Sequence, residues 1–302
     1  MEAIEKRFWF LRLLVRYGLY PTSWAVVLTG FHLIWTTGIE PRLIWGVTSG
    51  FLVLLYLVVE WAIPYEKRWR MTWASFKADL RFALTNTVFV GALSAFLALF
   101  TITISGNLSG PGSSWHPALQ LLLCLLIFEA INYALHRAMH ELRGLPGRFL
   151  WSVHAAHHLP PRLYVVMHAV FHPLNGIIIQ GLAIILPIWL MGYDQRVVTM
   201  FLMINGLHGT ISHFNVDVRM GWLNYIFVGP ELHRYHHSAA IEESRNYGAT
   251  LSIYDWLFGT FVYHPGVPPA ELGVSPASGL PPYERIWEVL TLPFKYENRT
   301  NS

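Results

Sequence analysis

Cysteine is all but absent. Cys124 is the single one among 302 residues, so no internal disulfide can form and a thiolate metal site is excluded. Charge is scarce as well: Asp, Glu, Lys and Arg make up 13% of the chain, against about 25% in soluble domains. The formal net charge is only +3 and no run of Lys or Arg is long enough for a nucleic-acid partner. There is no HExxH, because His140-Glu141 is followed by Leu-Arg-Gly-Leu, which leaves a zincin protease without its motif. There is no ExxH, which excludes the carboxylate-rich di-metal bundle of ferritin-like proteins. Neither GxGxxG nor a Walker motif occurs, so the chain has no recognisable nucleotide site, and any redox chemistry would have to draw its electrons from another protein. From Met1 to Tyr20, Arg12 and Arg16 interrupt the apolar run and no A-x-A site follows; a secretory signal is not expected.

What the chain has in excess is apolar surface and histidine. Hydrophobic residues are 54% of the sequence and the mean hydropathy is +0.39, values of an integral membrane protein. Apolar stretches run over 23–37, 43–63, 82–104 and 116–135. The first is short of the roughly 20 residues a span needs. Two more, 174–191 and 197–211, are separated by Gly-Tyr-Asp-Gln-Arg and read as a helical hairpin, with Pro187 as a potential kink. The expected fold is all-α: a polytopic membrane bundle of four or more spans plus that hairpin. Aromatic residues beside Lys6, Arg7, Arg12 and Arg16 predict an interfacial helix at the N-terminus. The segment 265–282 is rich in Pro and Gly and reads as extended, with a short helix over 283–292.

Orientation follows from Lys and Arg. With a cytoplasmic N-terminus and alternating spans, 19 of the 21 basic residues fall on the inner side and only Arg42 and Arg196 fall outside. The outer loop 105–117 has no charge and carries an Asn107-Leu-Ser sequon. This places the N-terminus, the histidine clusters and the C-terminus in the cytoplasm.

Eight of 15 histidines form three groups: His136 and His140 in HxxxH, His154, His157 and His158 in HxxHH, and His233, His236 and His237 in HxxHH again. Imidazole is a common ligand of transition metals. Eight exceed the roughly four to six positions of one ion and suit two ions sharing a site. On a helix His136 and His140 lie one turn apart on one face. In HxxHH the i, i+3 pair is expected to share a face, with the adjacent histidine turned by about 100° toward a second ion. His213, about 20 residues before the third cluster and at the end of the last apolar stretch, is a candidate ninth ligand. His208 and His172, the latter in Phe-His-Pro, are possible ligands or supporting contacts. His168 reads as structural, and His32, His116 and His264 as interfacial. Nitrogen ligands alone leave zinc, copper, nickel and iron open. Arg137, Arg143, Arg148 and Arg162 surround the clusters and read as membrane anchoring, or as docking for an acidic electron carrier or lipid headgroup.

HxxxH, HxxHH and HxxHH on a multi-span chain resemble the sterol desaturase and fatty acid hydroxylase superfamily. The similarity extends to EAINYALHRAMH (129–140), WSVHAAHH (151–158), Phe171-His172-Pro173-Leu174, PELHRYHH (230–237) and NYGATLSIYDWLFGTFV (246–262). One position departs: where the family often has Arg two residues before His-Pro, this chain has Val170. The resemblance covers about residues 80–265. It implies a catalytic membrane domain over 81–265, preceded by an interfacial helix and two added spans (1–80) and followed by a tail (266–302). It also implies an O2-dependent, non-haem di-iron enzyme that hydroxylates or desaturates a membrane lipid such as a sterol or fatty-acyl chain. By position, its two irons would be held by His136, His140, His154, His157, His158, His233, His236 and His237, with His213 as a ninth ligand. No catalytic residue beyond the metal ligands is implied. Partners would be a bilayer lipid and an external donor, a ferredoxin or cytochrome b5 with its reductase. Two other classes remain open on the residues. A metal transporter would place its ligands within spans, but these sit at span ends. A zinc hydrolase would need a base, and the shortage of an obvious Glu base beside the clusters counts against it.

Overall fold

The computed structural model describes residues 2–104 and 110–295; the Asn107 sequon lies outside the described residues. Ten helices are used below: α1 (Glu2–Thr36), α2 (Pro41–Ala62), α3 (Trp73–Ile104), α4 (Pro117–Glu141), α5 (Gly144–His158), α6 (Pro173–Met191), α7 (Gln195–Ser212), α8 (Pro230–His236), α9 (Ile253–Leu257) and α10 (Ile286–Thr291). Among the described residues there is no strand, only two isolated bridges, Phe227 with Leu251 and Ser238 with Leu272. The all-α expectation holds.

The helix starts follow from local chemistry. Pro41, Pro117 and Pro173 occupy first-turn positions, where a missing N–H costs nothing. Each is preceded by a side chain that accepts a free backbone N–H: Glu40 from Leu43, His116 from Ala118, His172 from Leu174. α6 ends at Gly192, whose φ of 65° suits glycine. Asp194 then caps α7 by accepting from the Arg196 N–H, so three residues turn the expected hairpin. Within α6, Ile179–Ile185 is π-helical.

Three helices among the described residues are long and apolar enough to cross a membrane: α2, α4 and α6. The interfacial helix and the first short apolar stretch, separate in the sequence reading, form one 35-residue helix with Pro21 inside it. Proline's φ fits a helix and its missing N–H removes only one bond, to the Tyr17 carbonyl. Packing offsets that loss: Leu19, Tyr20, Val27 and Ile34 are buried with residues of α2 and α7, and Tyr56 donates to Ser23 Oγ at 2.7 Å.

The long helices alternate in direction, so the bundle has two distinct ends. At one end Arg196 lies 4.0 Å over the Trp35 ring, the Gly112 N–H donates to Met191 at 2.9 Å and the Asp194 N–H donates to Gln120 at 2.8 Å. At the other, Arg16 pairs with Asp217 and the Tyr65 N–H donates to the Asn215 carbonyl at 2.8 Å. All three histidine clusters lie at this second end. The tail folds back over it: the Gly273 N–H donates to the His237 carbonyl at 3.0 Å, and Arg68 donates to the Ala270 carbonyl at 2.7 Å.

Candidate metal centre

Nine imidazoles converge from four helices, and they are the nine singled out above as ligands. His136, His140, His154, His158 and His236 form one group, and His157, His213, His233 and His237 form another. Within each group one ring nitrogen per residue lies within 4.8 Å of all the others. His158 joins the groups, its ring stacked 4.6 Å from that of His237.

The pairing inside HxxHH differs from the sequence expectation. It is the i, i+4 pair that shares a group, His154 with His158 and His233 with His237. Their Nε2 atoms are 3.0 Å and 3.1 Å apart. The middle residue crosses over, His157 to the second group and His236 to the first. The helical reason is that i+4 is rotated by about 40° from i, whereas i+3 is rotated by about 60° the other way. Each helix therefore serves both groups with residues one turn apart.

The tautomers show what these groups suit. A backbone carbonyl only accepts, so a ring nitrogen facing one must donate. His157 Nδ1 donates to Val170 at 3.0 Å, His213 Nδ1 to Gly209 at 2.9 Å, His136 Nδ1 to Tyr247 at 2.8 Å and His236 Nδ1 to Arg245 at 2.8 Å. In the neutral ring this leaves Nε2 as a bare lone pair. Yet His157 Nε2 and His213 Nε2 face each other at 3.1 Å, and His136 Nε2 faces at 2.9 Å the Nε2 of His154, whose Nδ1 is turned to the Asn175 amide oxygen. Two lone pairs at that distance repel unless a cation lies among them. Protonation is disfavoured: burial, then the neighbouring imidazoles, holds His157, His158, His233, His236 and His237 well below the ordinary imidazole range. The same causes act on His154. Donation from the outer ring nitrogen to a carbonyl is the usual arrangement of metal-bound histidine. The donor set therefore fits metal ions, with nitrogen ligands only.

Residues the sequence reading passed over hold this geometry. Glu129, midway along α4, is fully buried and accepts from Ala249, Thr250 and Leu251 N–H at 2.7, 2.8 and 2.8 Å. Asp255 accepts from Tyr247 and Gly248 N–H at 2.7 and 2.8 Å. Together they fix the loop whose Tyr247 carbonyl orients His136. Asn175 Oδ1 lies 3.0 Å from His154 Nδ1. Asn246 takes a left-handed φ of 58°, and its amide donates to the Leu232 and Val262 carbonyls. A legible signal existed for Glu129, a carboxylate inside an apolar run.

His172 and His208 lie outside both groups. His172 caps α6 through Nδ1 and faces the Leu290 carbonyl with Nε2 at 3.1 Å. His208 donates to the Val228 carbonyl at 2.7 Å and packs against Tyr20, Trp24 and Phe227. His168 is nearer: its ring lies 4.9 Å from that of His213, and its Nδ1 is buried without a partner. A cavity of about 250 Å³ adjoins both groups, lined among others by Phe128, Asn132, His168, Gln180 and Ile184. Gln180 and Ile184 come from the π-helical segment, a feature often found at functional sites.

An all-helical membrane architecture with a buried, histidine-only centre beside a cavity is the setting of a membrane metalloenzyme. The model of the fatty acid hydroxylase family matches residues 121–260, a span that runs from α4 through the third cluster. The chain is also 30% identical over 268 residues to the ornithine lipid hydroxylase OlsE of Rhizobium tropici, covering 85% of this chain and 78% of that one. No solved structure matches the chain. The chain belongs to the fatty acid hydroxylase family. It is an enzyme of the lipid hydroxylase class, as the motif resemblance implied.

Proposed function

We propose that this protein is an O2-dependent, non-haem di-iron hydroxylase of a membrane lipid, with His136, His140, His154, His158 and His236 holding one iron and His157, His213, His233 and His237 the other. The observation that carries the reading is the set of bare Nε2 atoms facing one another in two adjoining groups, in a chain of the lipid hydroxylase class. When bound, the metals would supply O2 activation and the oxidising power to break an unactivated C–H bond. The chain's own residues do the rest. The carbonyls of Gly209, Val170, Tyr247 and Arg245 hold four of the imidazoles, those of His213, His157, His136 and His236, in the tautomer that bares Nε2, and the cavity walls of Phe128, Ile179 and Ile184 accept an apolar chain next to them. Hydroxylation is favoured over desaturation, which needs a second hydrogen held within reach. An aminolipid like the substrate named for the Rhizobium relative is the first to test, with sterols and fatty-acyl chains beside it. α1, α3 and α7 are read as further membrane-crossing helices beside α2, α4 and α6, and the basic residues put the histidine end in the cytoplasm. There a ferredoxin or cytochrome b5 with its reductase supplies the electrons.

The test combines metal analysis of purified protein with lipid mass spectrometry of expressing and deleted cells. About two irons per chain and a lipid gaining one oxygen are expected. Purified protein with NAD(P)H and O2 alone should be inactive, and activity should appear on adding a carrier. A single zinc from iron-replete cells, or turnover without O2, overturns the reading.

A further inference from the structure

We propose that the segments 220–229 and 246–262 do not lie in the aqueous phase with the third histidine cluster but re-enter the bilayer, so that α9 and the turn before Phe227 contact lipid tails. The inference rests on α4 crossing the membrane and is independent of the reaction catalysed.

The depth is read from α4. Tyr254 Oη donates to the Leu126 carbonyl at 3.1 Å, and the Phe258 ring stacks 5.5 Å from that of Tyr133. Leu126 is fifteen residues before Glu141 and nine after Pro117, hence about 22 Å from one end of the helix and about 13 Å from the other. Whichever twenty or so residues of α4 fill a core of about 30 Å, both Leu126 and Tyr133 are inside it. α9 packs between these two levels.

Composition agrees. Residues 220–229 contain no charged side chain, and residues 246–262 contain only Asp255, which is fully buried. The outward face is large and apolar: Tyr225, Ile226, Trp256, Leu257 and Phe258 are 41–58% exposed. On α4 itself, Leu119 and Leu122 are likewise exposed. A loop facing water would carry polar groups there.

Irregular backbone survives at membrane depth only where protein satisfies its polar groups. Here Glu129 takes three N–H groups and Asp255 two. The Val228 N–H donates to the Thr250 carbonyl and the Ser252 N–H to that of Ile226, and Ser252 Oγ donates to the Asn224 carbonyl at 2.7 Å. The two buried carboxylates thus act as backbone acceptors that let a non-helical segment sit in hydrocarbon. The inner side of the same segment, Gly248 and Ala249, lines the cavity.

The test uses the single cysteine to advantage. In a Cys124→Ser background, Ile226→Cys, Leu257→Cys, Leu122→Cys and Ile241→Cys are each labelled with a nitroxide, and the full-length protein is placed in phosphatidylcholine vesicles. All four side chains point outward, so the substitutions leave the core intact, and co-elution with unmodified protein checks folding. Collision with O2 and with a neutral nickel chelate is read by electron paramagnetic resonance. Labels at 226 and 257 should match Leu122, accessible to O2 and about tenfold or more less accessible to the chelate than Ile241, because hydrocarbon excludes polar solutes. Chelate access at 226 and 257 equal to that at Ile241 overturns the proposal. So does protection from both reagents, which would mean a protein contact in place of lipid.

Discussion

Glu129 offers the most direct check on how the candidate metal centre is held. Its two carboxyl oxygens accept three backbone N–H groups, Ala249 on one and Thr250 and Leu251 on the other. In Glu129→Gln the remaining oxygen can keep Thr250 and Leu251 while the amide NH2 meets the Ala249 N–H head-on. The Ala249 N–H and the amide facing it are then both left without an acceptor, which at about 1 kcal/mol apiece costs about 2 kcal/mol. In Glu129→Ala all three are orphaned, which at about 1 kcal/mol or more apiece is at least about 3 kcal/mol, before the cavity left by the side chain is counted. The order is therefore wild type, Gln, Ala in falling stability. The loop they hold carries the Tyr247 carbonyl that accepts from His136, and loosening such an orienting partner lowers metal affinity about 10- to 100-fold. Denaturation in detergent micelles and metal content after dialysis against a chelator measure the two effects. A Glu129→Ala protein that unfolds and retains metal like wild type refutes the account.

His157→Ala and His236→Ala should each abolish lipid oxidation and lower metal content without preventing membrane insertion; full activity of both variants sinks the ligand assignment. His208→Ala should keep the full metal complement, because its ring donates to Val228 and packs away from both groups; metal loss equal to that of His157→Ala would contradict this. His172→Ala should likewise retain metal but lose about 1 kcal/mol of stability with the α6 cap, measured by the same unfolding assay. Reporter fusions at Arg148 and at the C-terminus should score cytoplasmic and one at Gly110 external; a cytoplasmic signal at Gly110 overturns the orientation.

Several features were legible from the residues alone. HxxxH and HxxHH are local statements, since helical geometry fixes which imidazoles lie a turn apart whatever the rest of the chain does. The apolar runs are local too, and α2, α4, α6 and α7 start within two residues of the runs read for them. His213 was legible because it ends an apolar stretch at the same side as the clusters. The pairing within HxxHH was not, because i+3 and i+4 are both near neighbours on a helix and only the approach of α8 to α5 decides that His157 and His236 exchange groups. His168 and His172 show the same limit. They are one turn apart in sequence, yet packing puts the first beside His213 and turns the second to the Leu290 carbonyl. Glu129 and Asp255 acquire their roles only when residues 246–255 dock on α4, more than a hundred positions away. The sequence by itself determined the helical class, the membrane character and which histidines stand as candidate ligands, because each follows from composition or from spacing within a turn. The tertiary structure alone decided how nine imidazoles divide into two groups and what orients them, because those contacts join segments whose separation along the chain carries no record of their distance in space.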